Sequence, residues 1–247
     1  MKGFTQLAAT NLKLYLREPI TVFFTLAFPV MLVLIFGAMY GNEPAAIFGG
    51  YGSMDISMPG YTALILGSVG LLTVAINTSS YRESGVLRRF RATPLRPVTY
   101  IAADVTGTLV MMLAGMVPLL LAGRLIYDVR FEGQPVSVFL AVLLGGLAMF
   151  SVGYLIASLA PSARSAQVIG MAIFYPMLFL SGAGMPLEIM PATIRRIADF
   201  LPLTYVVKLL RGLWFSETWG QHLLETAVLL GILGICTALA ARFFRWE

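Results

Sequence analysis

Residues 136–160 read VSVFLAVLLGGLAMFSVGYLIASLA, twenty-five residues without one charge. A helix needs about 20 consecutive, mostly apolar residues to cross the hydrocarbon core of a bilayer. This run exceeds that, and the pattern recurs on both sides of it. Residues 20–40, 59–81 and 166–185 carry no charge, and 98–123 contains one ionisable side chain, Asp104. The last stretch, 223–244, is apolar from Thr226 to Ala241. Short strands of alternating polarity, the pattern of a membrane barrel, are absent. The sequence therefore predicts an all-α integral membrane bundle of six spans, one domain over 1–247.

Composition agrees. Of 247 residues, 58% are hydrophobic and 12% charged, about half the charged fraction of a soluble domain. Such a chain cannot cover its surface with polar side chains, which excludes an ordinary soluble enzyme, a disordered tail and a secreted disulfide scaffold. Cys236 is the only cysteine and His222 the only histidine, so thiolate zinc sites and His-rich metal clusters are excluded as well. The net charge of +5 invites a nucleic-acid reading, but the placement of the charges argues otherwise. With both termini inside, eleven of the 17 basic residues fall beside the inner span ends and eight of the 12 acids fall outside. That is the positive-inside rule, so no nucleic-acid partner is expected.

Three segments do not span. Residues 2–17 place Phe4, Leu7, Leu12 and Tyr15 on one helical face and Lys13 and Arg17 opposite, the pattern of an interfacial helix contacting membrane lipid. Residues 83–91 fit a short inner helix carrying Leu87 and Phe90 among five arginines between Arg82 and Arg96. Topogenic charge explains the arginines, but it does not explain the apolar pair. Residues 186–215 are amphipathic twice: Leu187, Met190, Ile194, Ile197 and Leu201 form one face, and Val206, Leu209, Leu210 and Leu213 a second. The segment is expected to lie in or dip into the outer interface, with Trp214 and Trp219 in the aromatic belt.

Catalytic chemistry is sparse. Gly-Lys never occurs, so there is no phosphate loop to cradle ATP. Asp104, close to the inner end of its span, is expected to pair with Arg82 or Arg96 rather than to carry protons. Ser181 and His222 are the only nucleophile–base pair to weigh for an intramembrane serine protease. Helix packing beside Gly182 for the serine, and the start of the sixth span for the histidine, are the simpler readings.

The chain resembles the permease subunit of type-2 ABC exporters, in particular the daunorubicin-resistance-like drug exporters of bacteria. The resemblance rests on Arg17-Glu-Pro19 with Phe28-Pro29, on Glu83-Ser-Gly85-Val-Leu87 with Ala92-Thr-Pro94, and on FLSGAGMPLEIMP (179–191) and LPLTYVVKLLRGLWF (201–215). It implies a coupling helix at 83–91 that docks on a separate ATPase through Glu83, Gly85, Leu87, Arg88 and Phe90. It implies outer re-entrant helices over 186–215, with a gate at Met185, Pro186, Ile194, Ile197 and Leu201. It also implies a passage between two permeases, identical or related, lined by the second and fifth spans. Asn77, Phe174, Tyr175 and Met177 are its candidate lining residues. The chain itself would bind no cofactor. ATP and Mg would sit on two copies of the ATPase, and the assembly would lie in the bacterial cytoplasmic membrane with both termini cytoplasmic. The implied function is export of a hydrophobic or amphipathic, drug-like or lipid-like substrate; lipid-linked polysaccharide export is the alternative.

Overall fold

The computed structural model describes residues 19–85 and 97–243, with no strand among them. The expected interfacial helix at 2–17 lies outside the described residues. In chain order the α-helices are α1 Pro19–Val22, α2 Phe28–Tyr40, α3 Ser53–Ser68, α4 Ala75–Glu83, α5 Pro97–Tyr127, α6 Pro135–Leu159, α7 Ala163–Leu180, α8 Ala192–Ala198, α9 Pro202–Trp214 and α10 Leu223–Phe243. A π-helical turn, Phe23–Ala27, joins α1 to α2, and another, Val69–Val74, joins α3 to α4. Each pair is thus one continuous rod.

Among the described residues, five helical rods are long and apolar enough to cross a membrane: Ser53–Glu83, Ile101–Tyr127, Pro135–Leu159, Ala163–Leu180 and Trp219–Phe243. The first expected span is represented by a shorter apolar helix, Thr25–Tyr40. Its irregularity has a local cause. Pro29 lacks an N–H, and its ring crowds the carbonyl four residues back. The turn before it widens, and the Phe28 N–H donates to the Phe23 carbonyl. The other boundaries shift modestly. The second span starts at Ser53 rather than 59, and the fifth ends at Leu180 rather than 185. Residues 181–185 form a turn in which the Gly184 N–H donates to the Leu178 carbonyl.

The second rod is the axis of the bundle. Its most apolar window is 94% buried, against 11% for the last rod. α2, α5, α6, α7 and α9 all pack around it, and α10 covers α6 and α9 from outside. Its sequence explains its position. Ser57, Thr62, Ser68, Thr73, Asn77, Thr78 and Ser79 are all buried on it. Small and polar side chains favour helix–helix contact over lipid, where close backbone approach and satisfied polar groups stabilise association. The tightest crossing is at Gly70: a Cβ added to Gly153 would lie 2.0 Å from the Gly70 carbonyl oxygen. α6 therefore touches the axial rod backbone to backbone.

One end of the bundle is fastened by a buried carboxylate. Asp55, 1% exposed, accepts from the Gly52 N–H at 3.0 Å, from the Asn42 side-chain amide at 3.0 Å and from the Arg130 N–H at 2.8 Å. Asn42 in turn accepts from the Met54 and Asp55 N–H groups and donates to the Tyr127 carbonyl at 2.9 Å. The free N–H groups at the start of α3 are thereby satisfied, and the loops after α2 and α5 are tied to it. Asp55, one of the eight acids expected on the outer side, is the joint of this end, here called the Tyr40 end. Asp55→Ala leaves buried donors unpaired and is expected to cost about 2–4 kcal/mol, measured as a lower unfolding midpoint in detergent. An unchanged midpoint would show that the carboxylate is dispensable.

Candidate functional site

At the Tyr40 end, α2, the loop after it, α3 and the turn after α7 enclose a cavity of about 300 Å³. Phe36 and Tyr40, four residues apart on α2, stack with ring centroids 6.2 Å apart and planes 14° from parallel. They form one wall. Tyr61 and Ser57 contribute from the axial rod, Phe48 and Glu43 from the loop, and Met185, Pro186 and Ile189 from the turn. The cavity thus combines an aromatic helical wall with loop and turn segments, mostly apolar with a few polar groups such as Ser57 and Glu43, a composition suited to a ligand site.

Of the expected gate residues, Met185 and Pro186 line this cavity. The others sit elsewhere. Leu201 packs on the core, Ile194 is half-buried, and Ile197 is 47% exposed. α8 is a single short helix whose buried residue is Ala198, so the expected apolar face through Ile197 does not pack into the protein. The second expected helix does have its face. On α9, Val206, Leu209, Leu210 and Leu213 are all buried, but against α3, α6 and α10 rather than in an interface. Trp214 is likewise no belt residue: it is 5% exposed, and its indole N–H donates to the Arg130 carbonyl at 2.9 Å.

The expected passage residues separate. Asn77, Phe174 and Met177 are buried within the bundle, and Phe174 packs near Gly67 of the axial rod. Tyr175 alone projects outward, 39% exposed. In residues 59–81 only Ile76, Ser80 and Tyr81 escape full burial, because this chain's own helices sheathe the rod. The sequence reading also missed Phe36, Tyr40, Glu43 and Tyr61. Their signal was the aromatic i, i+4 pair at the end of the first span, followed closely by a carboxylate.

At the opposite, Glu83 end, the final turn of α4 clamps the loop between α6 and α7. The Arg82 guanidinium donates to the Ala157 carbonyl at 2.9 Å and to the Ala160 carbonyl, and Glu83 accepts from the Ala163 N–H at 3.0 Å. A cation thus meets the carbonyl end of one helix and a carboxylate meets the N–H end of the next, the favourable sense for both dipoles. Arg82 is thereby committed to these helix ends, while Asp104 is buried and accepts from the Tyr154 hydroxyl at 2.6 Å; Arg96, the other partner expected for Asp104, lies outside the described residues. Glu83 is engaged through one of its oxygens. Gly85, with φ +71°, ends α4 in a left-handed turn that no continuous helix can run through. The helix expected over 83–91 is therefore interrupted at its start; Leu87, Arg88 and Phe90 lie outside the described residues.

The serine–histidine pair is not assembled. Ser181 Oγ accepts from the Ala183 N–H at 3.3 Å. His222 holds Glu217 at 2.7 Å through Nε2 and faces Glu225 at 3.6 Å through Nδ1. His222 ends the turn Trp219–His222 just before α10. Nearby, the Tyr51 hydroxyl donates to Glu132 at 3.0 Å, and that carboxylate raises the Tyr51 pKa above its usual value. The phenol therefore stays protonated and donating at neutral pH, and alkali strong enough to ionise it breaks the contact.

A model of the ABC-2 type transporter family matches residues 2–215. The daunorubicin resistance ABC transporter permease protein DrrB1 of Streptomyces coeruleorubidus is 24% identical over 234 residues, covering 92% of this chain and 80% of that protein. Nodulation protein J of Rhizobium leguminosarum bv. viciae is 34% identical over 94 residues, 38% of this chain and 35% of that protein. The probable multidrug ABC transporter permease YbhS of Escherichia coli K12 is 24% identical over 178 residues, 72% of this chain and 46% of that protein.

Proposed function

From the premise that this chain belongs to the ABC-2 type transporter family and is a multi-pass membrane permease, we propose that it forms the membrane path of an exporter. A separate ATPase, in two copies carrying ATP and Mg, supplies the energy. A second permease, identical or related, completes the path. The Glu83 end faces the cytoplasm and the Tyr40 end faces outward. The substrate is hydrophobic or amphipathic, and drug-like molecules fit better than polysaccharide because the cavity wall is aromatic and apolar.

The observation that supports this reading is the position of the cavity. It lies at the end remote from the segment after Gly85, and Met185 and Pro186 form part of its rim. Substrate approaches it along the exposed face of α7, where Tyr175 and Phe179 project one turn apart. Asn77, Phe174 and Met177 support that face from behind. The Arg82–Glu83 clamp links the loop that meets the ATPase to α6 and α7, so movement of that loop pulls on both helices.

Cysteine labelling tests the orientation. Cysteines at Ser53 and Glu132 are expected to react with impermeant thiol reagents in intact cells, and a cysteine at Ser84 only after lysis. Labelling of Ser84 in intact cells would reverse the path. Isolation of the chain from its native membrane is expected to bring an ATPase with it; isolation without one, in every mild detergent tried, would count against the proposal.

A further inference from the structure

We propose that the cavity at the Tyr40 end selects hydrophobic organic cations, with Glu43 as counter-charge and Phe36, Tyr40, Phe48 and Tyr61 as the π-faced wall. This inference rests on the reading of that cavity as the substrate's outward site, and it names the substrate class. Four of the lining side chains are aromatic, and Glu43 is the one charged residue among them. The Phe36–Tyr40 stack presents a flat aromatic surface. Aromatic faces carry negative quadrupole density and attract ammonium and related cations, more strongly where water is excluded.

The state of Glu43 distinguishes it from the other acids. At this end Asp55, Asp128, Glu132, Glu188, Asp199, Glu217 and Glu225 each face a cation, a histidine or a hydroxyl of the chain. Among the described residues Glu43 has no hydrogen bond or ion pair. Its charge is therefore available to a ligand without breaking an internal contact.

Two other cavities among the described residues lack this combination. An apolar one of about 340 Å³, lined by Met58, Met116, Phe139 and Trp214, has Arg124 as its charged residue, and Asp128 holds that guanidinium at 2.7 Å. A polar one of about 590 Å³ is lined by Glu188, Lys208, Arg211, Glu217, His222 and Glu225, whose charges are engaged in internal pairs. Of these three cavities among the described residues, the Tyr40-end one combines an apolar aromatic wall with an uncommitted charge.

The test uses the full chain with its native partners in phosphatidylcholine nanodiscs, and two probes of equal size and opposite charge. Tetraphenylphosphonium is expected to bind saturably, and tetraphenylborate about tenfold more weakly or not at all. Glu43→Gln should weaken tetraphenylphosphonium about fivefold and leave folding unchanged, since Glu43 is exposed. Glu43→Lys should reverse the preference. If both ions bind equally, or if Glu43→Gln leaves the cation preference intact, the inference is overturned while the cavity's role in export stands. If neither ion binds saturably, the reading of the cavity as the outward site fails as well.

Discussion

Gly153→Leu is expected to prevent the bundle from assembling. At this position a side chain would start 2.0 Å from the Gly70 carbonyl oxygen and 3.0 Å from Val74 Cβ. The obstacle is largely backbone, so no rotamer change relieves it. The reciprocal position is as crowded, since a Cβ on Gly70 would meet Met149 Cβ at 2.5 Å. Overpacking a well-filled core typically costs about 1–3 kcal/mol when side chains can shift. Here α6 must move away from the axial rod, so the cost should exceed that range. The expected result is loss of monodisperse protein after detergent extraction. Gly231→Leu, on α10 with open space around it, is the matched control and should leave the yield unchanged. Equal yields for both variants would mean that α6 and the axial rod do not meet as described.

The second large effect concerns energy coupling. Leu87→Asp is expected to abolish association with the ATPase while leaving insertion and folding intact. Under the proposed function, force arrives from the ATPase through a contact near the Glu83 end. Apolar anchors at the centre of such contacts carry most of the binding energy, and Leu87 and Phe90 are the apolar anchors proposed for that loop. A carboxylate in the partner's groove would be buried without a counter-ion, a loss of several kcal/mol. Arg91→Ala should do far less, because an exposed rim charge contributes little. Pull-down of the ATPase by the tagged chain reads both variants. Normal pull-down by Leu87→Asp would reduce the loop to a topogenic cluster.

The class of fold was legible in residues 136–160 because charge-free length is a direct consequence of the bilayer's thickness. Which rod is central was not read, although residues 57–79 carried the information. Their serines, threonines and Asn77 are uneconomical against lipid and useful against other helices. Hydropathy counts them only as a weaker span. Residues 53–58 fell outside the expected second span for a related reason: Pro59 suggests a helix start. The capping by Asn42 that extends the helix to Ser53 joins residues thirteen apart, beyond the reach of a periodicity argument.

The candidate site was legible in part. Met185 and Pro186, expected as gate residues through motif resemblance, line the cavity. Ile197 is read by its 100° spacing onto a face toward the outer interface; on the short α8 it is 47% exposed, while Ala198 is the residue of that helix buried in the protein. Phe174 and Met177 were chosen for being adaptable apolar residues, a property that core packing uses equally. Glu43 carried no motif. It stands out only once the other acids are seen with their partners.

The central claim is that this chain is the membrane path of an exporter driven by a separate ATPase. Its most direct test is uptake of a fluorescent hydrophobic dye such as rhodamine 6G into inside-out vesicles holding the purified assembly. The account predicts accumulation that requires ATP hydrolysis and disappears in Leu87→Asp. Accumulation that persists without ATP, or that survives Leu87→Asp unchanged, would contradict it.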